Sequence, residues 1–149
     1  MMINNSKNKQ VPVEEDIFYM PQSPGKKPYL VGAKCKECGY VSFPRLMVCP
    51  RCLKKDTMEE THLSSRGKID MFSVCNAALP GFPAPSIQGY INLEEGVRIW
   101  SLITGIDPYS EELKDGMEVE LVIEKLKEDG RGNNIMSYKF RPVNPARGD

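Results

Sequence analysis

The sequence predicts a mainly β chain built from two modules in tandem, a metal-clamped ribbon and then a closed five-stranded barrel, with a short arm ahead of them. Three observations predict it. Four cysteines fall in two pairs, Cys35-Lys36-Glu37-Cys38 and Cys49-Pro50-Arg51-Cys52, with ten residues between the pairs. Two residues between thiols let each tight turn aim both sulfurs at one point, and the spacer is long enough for a hairpin that brings the pairs face to face around one tetrahedral ion. From residue 64 onward, strand-length segments recur with turn signals between them, the pattern of an all-β module. Finally, Met117, Val119, Leu121 and Ile123 alternate with the acids Glu118, Glu120 and Glu124, the period of a strand with one buried and one wet face.

Taken in order, residues 1–10 are polar and lysine-bearing and read as a disordered lead-in. Glu14, Glu15 and Asp16 stand ahead of Ile17, Phe18 and Tyr19, which predicts a short helix or a clinging arm. Prolines and a glycine at Pro21, Pro24, Gly25 and Pro28 then break regular structure, so the arm is expected over 1–28 and the ribbon over 29–63. Residues 29–34 form a strand into the first knuckle and residues 40–43 a strand out of it. Gly39 suits the tight bend, Pro50 stiffens the second knuckle, and residues 58–63 read as a connecting strand.

The barrel is expected over 64–143, with a tail at 144–149. Its first strand, 68–77, carries Phe72 and Val74 on one face and Ile69, Met71 and Cys75 on the other, so it is expected to be long, bent and covered twice. A proline-rich break covers 79–85. Segments 88–93 and 97–104 flank Glu94-Glu95-Gly96 and form a hairpin; Asp107-Pro108 stops the second arm, and residues 109–114 read as one helical turn. After the strand from Met117 and a polar turn at 129–134, Met136, Tyr138 and Phe140 alternate with Ser137, Lys139 and Arg141 in a closing strand. Five strands in about seventy-five residues fit a small closed barrel of the oligonucleotide/oligosaccharide-binding (OB) type, since an open sheet leaves its edges unprotected.

Composition narrows the function. In 149 residues, Lys plus Arg and Asp plus Glu are twenty each, so the global positive field of a non-specific nucleic-acid binder is missing. No apolar run reaches membrane-spanning length and the start has no signal-peptide core, which predicts a soluble, cytoplasmic protein whose thiols stay reduced. Cysteines this close in sequence bridge poorly as disulfides, and Leu53 follows the second knuckle where a rubredoxin-type iron site usually has glycine, so zinc is the favoured ion. Metal binding in so small a ribbon is largely folding free energy, of order 10 kcal/mol. Four thiolates at Cys35, Cys38, Cys49 and Cys52 leave no open coordination position, so the site reads as structural.

Catalytic groups are scarce. The one histidine is His62 and the one cysteine outside the ribbon is Cys75. A mid-strand cysteine is ordinarily a small buried hydrophobe and a histidine beside a polar linker an exposed side chain. No phosphate-binding glycine loop, paired-histidine metal helix or nucleophile elbow is present, and no catalytic residue is assigned.

The run Gly32-Ala33-Lys34-Cys35-Lys36-Glu37-Cys38-Gly39-Tyr40, continuing through Phe43-Pro44-Arg45 to the second knuckle and then Gly67-Lys68-Ile69, resembles the family of rubredoxin-like zinc ribbons fused to an OB-fold. Pro80-Gly81-Phe82, Glu94-Glu95-Gly96, Gly105-Ile106-Asp107-Pro108, Asp115-Gly116-Met117 and Phe140-Arg141-Pro142 stand where that family places equivalents, so the resemblance covers nearly the whole chain. It implies a non-catalytic partner of acyl-CoA enzymes: thiolases, archaeal hydroxymethylglutaryl-CoA synthase, and steroid side-chain hydratases and aldolases. The chain is most similar to the branch that serves as small subunit of thiolases in anaerobic toluene degradation. There a heterotetramer of two large and two small subunits cleaves benzoylsuccinyl-CoA with CoA to benzoyl-CoA and succinyl-CoA.

Partner contacts are then sought at the ribbon tip, Arg45, Leu46, Met47 and Val48, where the run Leu46-Met47-Val48 is apolar beyond what a free ribbon needs; packing on the ribbon's own hairpin or the barrel is the alternative. Leu79 and Phe82 in the proline-rich loop are candidates to line an acyl channel or dock on the large subunit, with a bland surface loop as the alternative. Lys26, Lys27, Lys34, Arg98, Lys139 and Arg141 are candidate donors to CoA phosphates, and Trp100 is expected in the core. Two other functions use similar parts: a single-stranded nucleic-acid binder, and a rubredoxin-like electron carrier.

Overall fold

The computed structural model describes residues 10–13, 17–20, 27–77 and 84–143. Ten strands follow in chain order: β1 (Gln10–Pro12), β2 (Phe18–Tyr19), β3 (Tyr29–Cys35), β4 (Val41–Ser42), β5 (Met58–His62), β6 (Arg66–Cys75), β7 (Ser86–Leu93), β8 (Arg98–Ile103), β9 (Glu118–Glu128) and β10 (Asn134–Pro142). Among the described residues there is no helix, and none long and apolar enough to cross a membrane.

The arm corrects the helical expectation. Its described parts are strands: β1 runs parallel along β10, with Val11 beside Ile135, and β2 pairs antiparallel with β3, with Phe18 beside Leu30. Isolated short helices are marginal in water, whereas an edge with unpaired amides offers hydrogen bonds at once. The helical turn expected over 109–114 is likewise replaced by two successive turns, in which Ser110 N–H donates to the Asp107 carbonyl and Leu113 N–H to that of Ser110.

In the ribbon, β3 pairs with β2 and β4 and, along its length, with β5. In the barrel, β6, β7 and β8 form an antiparallel meander around the Glu94-Glu95-Gly96 turn, where Gly96 takes φ 89°, as that turn requires. β9 pairs with both β6 and β10, and β10 meets β8 in parallel at Phe140 beside Ile103, which closes the five-stranded ring. Ile69, Ile87, Ile91, Ile99, Val119 and Phe140 fill its interior. Phe18, Leu30 and Leu63 from the arm and ribbon belong to the same apolar cluster, so the two modules share one core. The Ser64 N–H, at their junction, donates to the carboxylate of Glu95 at 2.6 Å.

Two expectations about sidedness change. A bulge between Ile69 and Met71 adds a residue to β6, so Ile69 points inward while Met71 is exposed instead of covered. Trp100 is not in the core. It is 47% exposed, because the inward positions of β8 are Ile99, Ser101 and Ile103 and a strand alternates strictly.

Candidate metal centre and contact surfaces

The two knuckles are built alike. Gly39 N–H donates to the Cys35 carbonyl at 2.9 Å and Leu53 N–H to the Cys49 carbonyl at 2.8 Å, so each pair of thiols sits on one tight turn. Each turn ends in a left-handed residue, Gly39 at φ 80° and Leu53 at φ 61°. The turns are tied across: Arg51 of the second donates to the Cys38 carbonyl at 2.5 Å, and Lys54 lies 3.1 Å from the Glu37 carboxylate of the first.

This frame brings the Sγ atoms of Cys35, Cys38, Cys49 and Cys52 all within 4.8 Å of one another. Cys35 and Cys52 are 3.7 Å apart and Cys38 and Cys49 3.5 Å, close to the roughly 3.8 Å between sulfurs that a tetrahedral ion with Zn–S near 2.3 Å imposes. Cys35 and Cys49 are buried, and Cys38 and Cys52 are partly open.

Electrostatics fit a cation at the centre. The Thr57 hydroxyl, 3.3 Å from Cys35 Sγ, donates to the thiolate and, with the Cys38 and Glu37 amides, lowers the Cys35 pKa to about 6. The Tyr40 amide holds Cys38 below the ordinary thiol value. Cys52 moves the other way: the Lys54 amide favours its thiolate, but burial and the three neighbouring thiols outweigh it and push it up to about 11. Four sulfurs this close cannot all carry charge unless a dication neutralises them, and four thiolates that fill a tetrahedral sphere are the donor set of a structural zinc ion.

At the tip, Met47 is 88% exposed, and Leu46, Val48 and Leu53 are exposed beside it. Arg45 is drawn back into an ion pair with Glu60 at 3.1 Å. Leu46 lines a cleft of about 330 Å³ between the ribbon residues Tyr40, Phe43 and Pro44 and the hairpin residues Gly96, Val97 and Arg98. Leu79 and Phe82 lie outside the described residues, as does Lys26.

The other candidate phosphate donors do not converge. Arg98 is paired with Asp70 at 2.7 Å, Arg141 with Glu120 at 2.9 Å, and Lys139, nearly buried, reaches the Lys125 carbonyl and Glu124; Lys27 and Lys34 are exposed. Cys75 and His62 form no dyad. The Cys75 thiol donates to the Ala77 carbonyl on the barrel, and the His62 ring stacks on Tyr29 of the ribbon at 3.9 Å.

A four-cysteine ribbon sharing its core with a five-stranded closed barrel, and bearing an exposed apolar tip, defines a class of zinc-ribbon/OB-fold proteins. The chain belongs to the ChsH2 family: residues 23–59 match its rubredoxin-like zinc ribbon domain and residues 60–124 its C-terminal OB-fold domain. A benzoylsuccinyl-CoA thiolase subunit, BbsA, of Thauera aromatica is 36% identical over 148 residues, covering 95% of this chain and all of that protein. A DUF35 domain-containing scaffold protein of Methanocaldococcus jannaschii is 42% identical over 117 residues, covering 76% of this chain and 82% of that protein. Among solved structures, a chain of the Ltp2-ChsH2(DUF35) aldolase superposes with a TM-score of 0.63 at 25% identity, covering 76% of this chain and 84% of that one.

Proposed function

We propose that this chain is the non-catalytic, zinc-clamped small subunit of an acyl-CoA thiolase complex. The complex cleaves benzoylsuccinyl-CoA with CoA to benzoyl-CoA and succinyl-CoA in the cytoplasmic, anaerobic breakdown of toluene. The observation that carries this reading is the end-to-end match to a benzoylsuccinyl-CoA thiolase subunit. Ribbon 29–63 and barrel 64–143 form the rigid body, flanked by the arm 1–28 and the tail 144–149, and two copies assemble with two large subunits.

Cys35, Cys38, Cys49 and Cys52 hold the zinc. When bound, it supplies a fixed ribbon and no Lewis acidity, because four thiolates fill its coordination sphere. Thiolysis requires a cysteine nucleophile activated by a base, together with donors for the thioester oxygen. Cys75 and His62 are engaged elsewhere and lie on different modules. The nucleophile and base therefore belong to the large subunit. This chain's share is to stabilise that subunit and shape substrate entry, through Leu46, Met47 and Val48 at the tip and Leu79 and Phe82 of the proline-rich segment.

Co-expression with the cognate thiolase-type large subunit tests the reading. Release of benzoyl-CoA is expected only when both chains are present, with zinc and no iron on metal analysis. A large subunit fully stable and active alone, or turnover by this chain that is abolished by Cys75→Ser, overturns it.

A further inference from the structure

On the outer wall of the barrel, Met71, Tyr90 and Trp100 stand opposite one another across β6, β7 and β8: Met71 is in register with Tyr90, and Tyr90 with Trp100. All three are exposed, at 50%, 38% and 47%. The rows on either side are polar for the most part, Lys68, Asn92 and Arg98 toward the hairpin turn and Ser73, Gln88 and Leu102 away from it. An aromatic centre within a polar rim is the anatomy of a protein interface, and Trp, Tyr and Arg are the side chains that most often dominate binding there.

Arg98 joins this wall to the ribbon. Its guanidinium lies 4.2 Å over the Tyr90 ring and 2.7 Å from Asp70. The same residue forms one side of the cleft whose other side is Phe43, Pro44 and Leu46. The tip and the row are therefore linked through Arg98, which lines the cleft together with Leu46 and stacks on Tyr90.

We infer that the large subunit covers the ribbon tip and the Met71–Tyr90–Trp100 row together, in one footprint hinged on Arg98. This rests on the proposal that the chain is the small subunit of a larger complex. Area supports it. Leu46, Met47, Val48 and Leu53 alone offer roughly half of the ~800 Å² per partner that a stable interface buries, and the barrel row supplies the remainder. The shared core holds tip and wall at a fixed spacing, so both are presented at once without an ordering cost. The matching surface of the partner is apolar, with a carboxylate or carbonyl acceptor facing Lys68 and Arg98.

Trp100 is the one tryptophan of the chain, which makes the test direct. Zinc-loaded full-length chain carrying 5-fluorotryptophan gives a single fluorine resonance, to be followed alone and on titration with the unlabelled large subunit. Assembly is expected to move that resonance and abolish its solvent isotope shift. Trp100→Ala and Met71→Glu are each expected to weaken assembly at least tenfold, with zinc content and thermal unfolding unchanged. If assembly occurs while the resonance keeps its solvent shift, or both variants bind within twofold of the parent, the inference falls and the small-subunit reading stands. A resonance that shifts with the concentration of this chain alone assigns the wall to a second copy and also overturns it. Failure of the parent chain to assemble at all removes the small-subunit reading and the inference with it.

Discussion

Gly39 and Leu53 occupy the same place in two turns of the same build, yet only one is a glycine. A leucine held at φ 61° costs roughly 1–2 kcal/mol against a residue without a Cβ, and at 72% exposure its side chain recovers little of that inside the monomer. Leu53→Gly is therefore expected to raise the stability of the isolated zinc-loaded chain by about 1 kcal/mol, read by chemical denaturation, while weakening assembly with the large subunit. A variant that is more stable and equally well bound would show that the leucine has no contact to make. Thr57 is the second informative residue. Its hydroxyl is the main reason the Cys35 pKa falls from 9.0 to about 6, so thiolate stabilisation there is complete above 9.0 and is lost as pH drops through about 6. Thr57→Val removes that donor. Zinc release on acidification, followed with a chromogenic chelator, is expected to begin at higher pH, with affinity at neutral pH down about tenfold, the usual cost of losing a group that supports a metal ligand.

At the level of strands, β7 leaves no room for a side chain against β6 at Gly89. A Cβ placed there would lie 2.4 Å from the Met71 carbonyl oxygen, a backbone atom that cannot swing aside. Gly89→Ala is accordingly expected to force the strands apart just below the bulge and to abolish soluble expression or lower the melting temperature by ten degrees or more, roughly 2 kcal/mol or above for a domain of this size. An unchanged melting curve would mean that the bulge is softer than its geometry implies. The glycine-bearing turns and the alternation from Met117 onward were legible beforehand because their signals are local: Gly96 needs its left-handed φ, and Val119 and Leu121 sit two apart with Glu120 between them. The metal knuckles were legible for the same reason. Sidedness was not legible where a strand carries apolar residues on both faces. Trp100 looks like core by hydropathy, but Ser101 takes the inward position, and only pairing with β7 reveals which parity is buried. Of the two expectations for the arm, a short helix or a clinging arm, the helix failed because β1 pairs with β10, more than a hundred residues away, and nothing between Val11 and Tyr19 records that partner.

For the molecule as a whole, the decisive feature is that the ribbon is welded to the barrel. Phe18, Leu30 and Leu63 pack into the cluster that contains Ile91, Ile99 and Phe140, so unfolding the ribbon uncovers one side of the barrel core. If the ribbon were a tethered appendage, removing zinc would melt residues 29–63 and leave the barrel as it was. With a shared core, loss of even part of that cover withdraws about 1–3 kcal/mol from the barrel, since burying a single large apolar side chain is worth about that much. Chelation is therefore expected to speed amide exchange at Ile91 and Ile99, in the middle of β7 and β8, by roughly tenfold or more, and added zinc to restore it. The same coupling sets how zinc bears on activity. In the proposed thiolase complex, where four thiolates leave the ion no place for substrate, chelation is expected to lower thiolysis by dissolving the complex, with turnover per intact complex unchanged and both activity and assembly recovering together on adding zinc. Exchange at Ile91 and Ile99 that ignores the metal would separate the two modules. Turnover lost from complexes that remain assembled would give the zinc a chemical task that its four thiolates leave no room for.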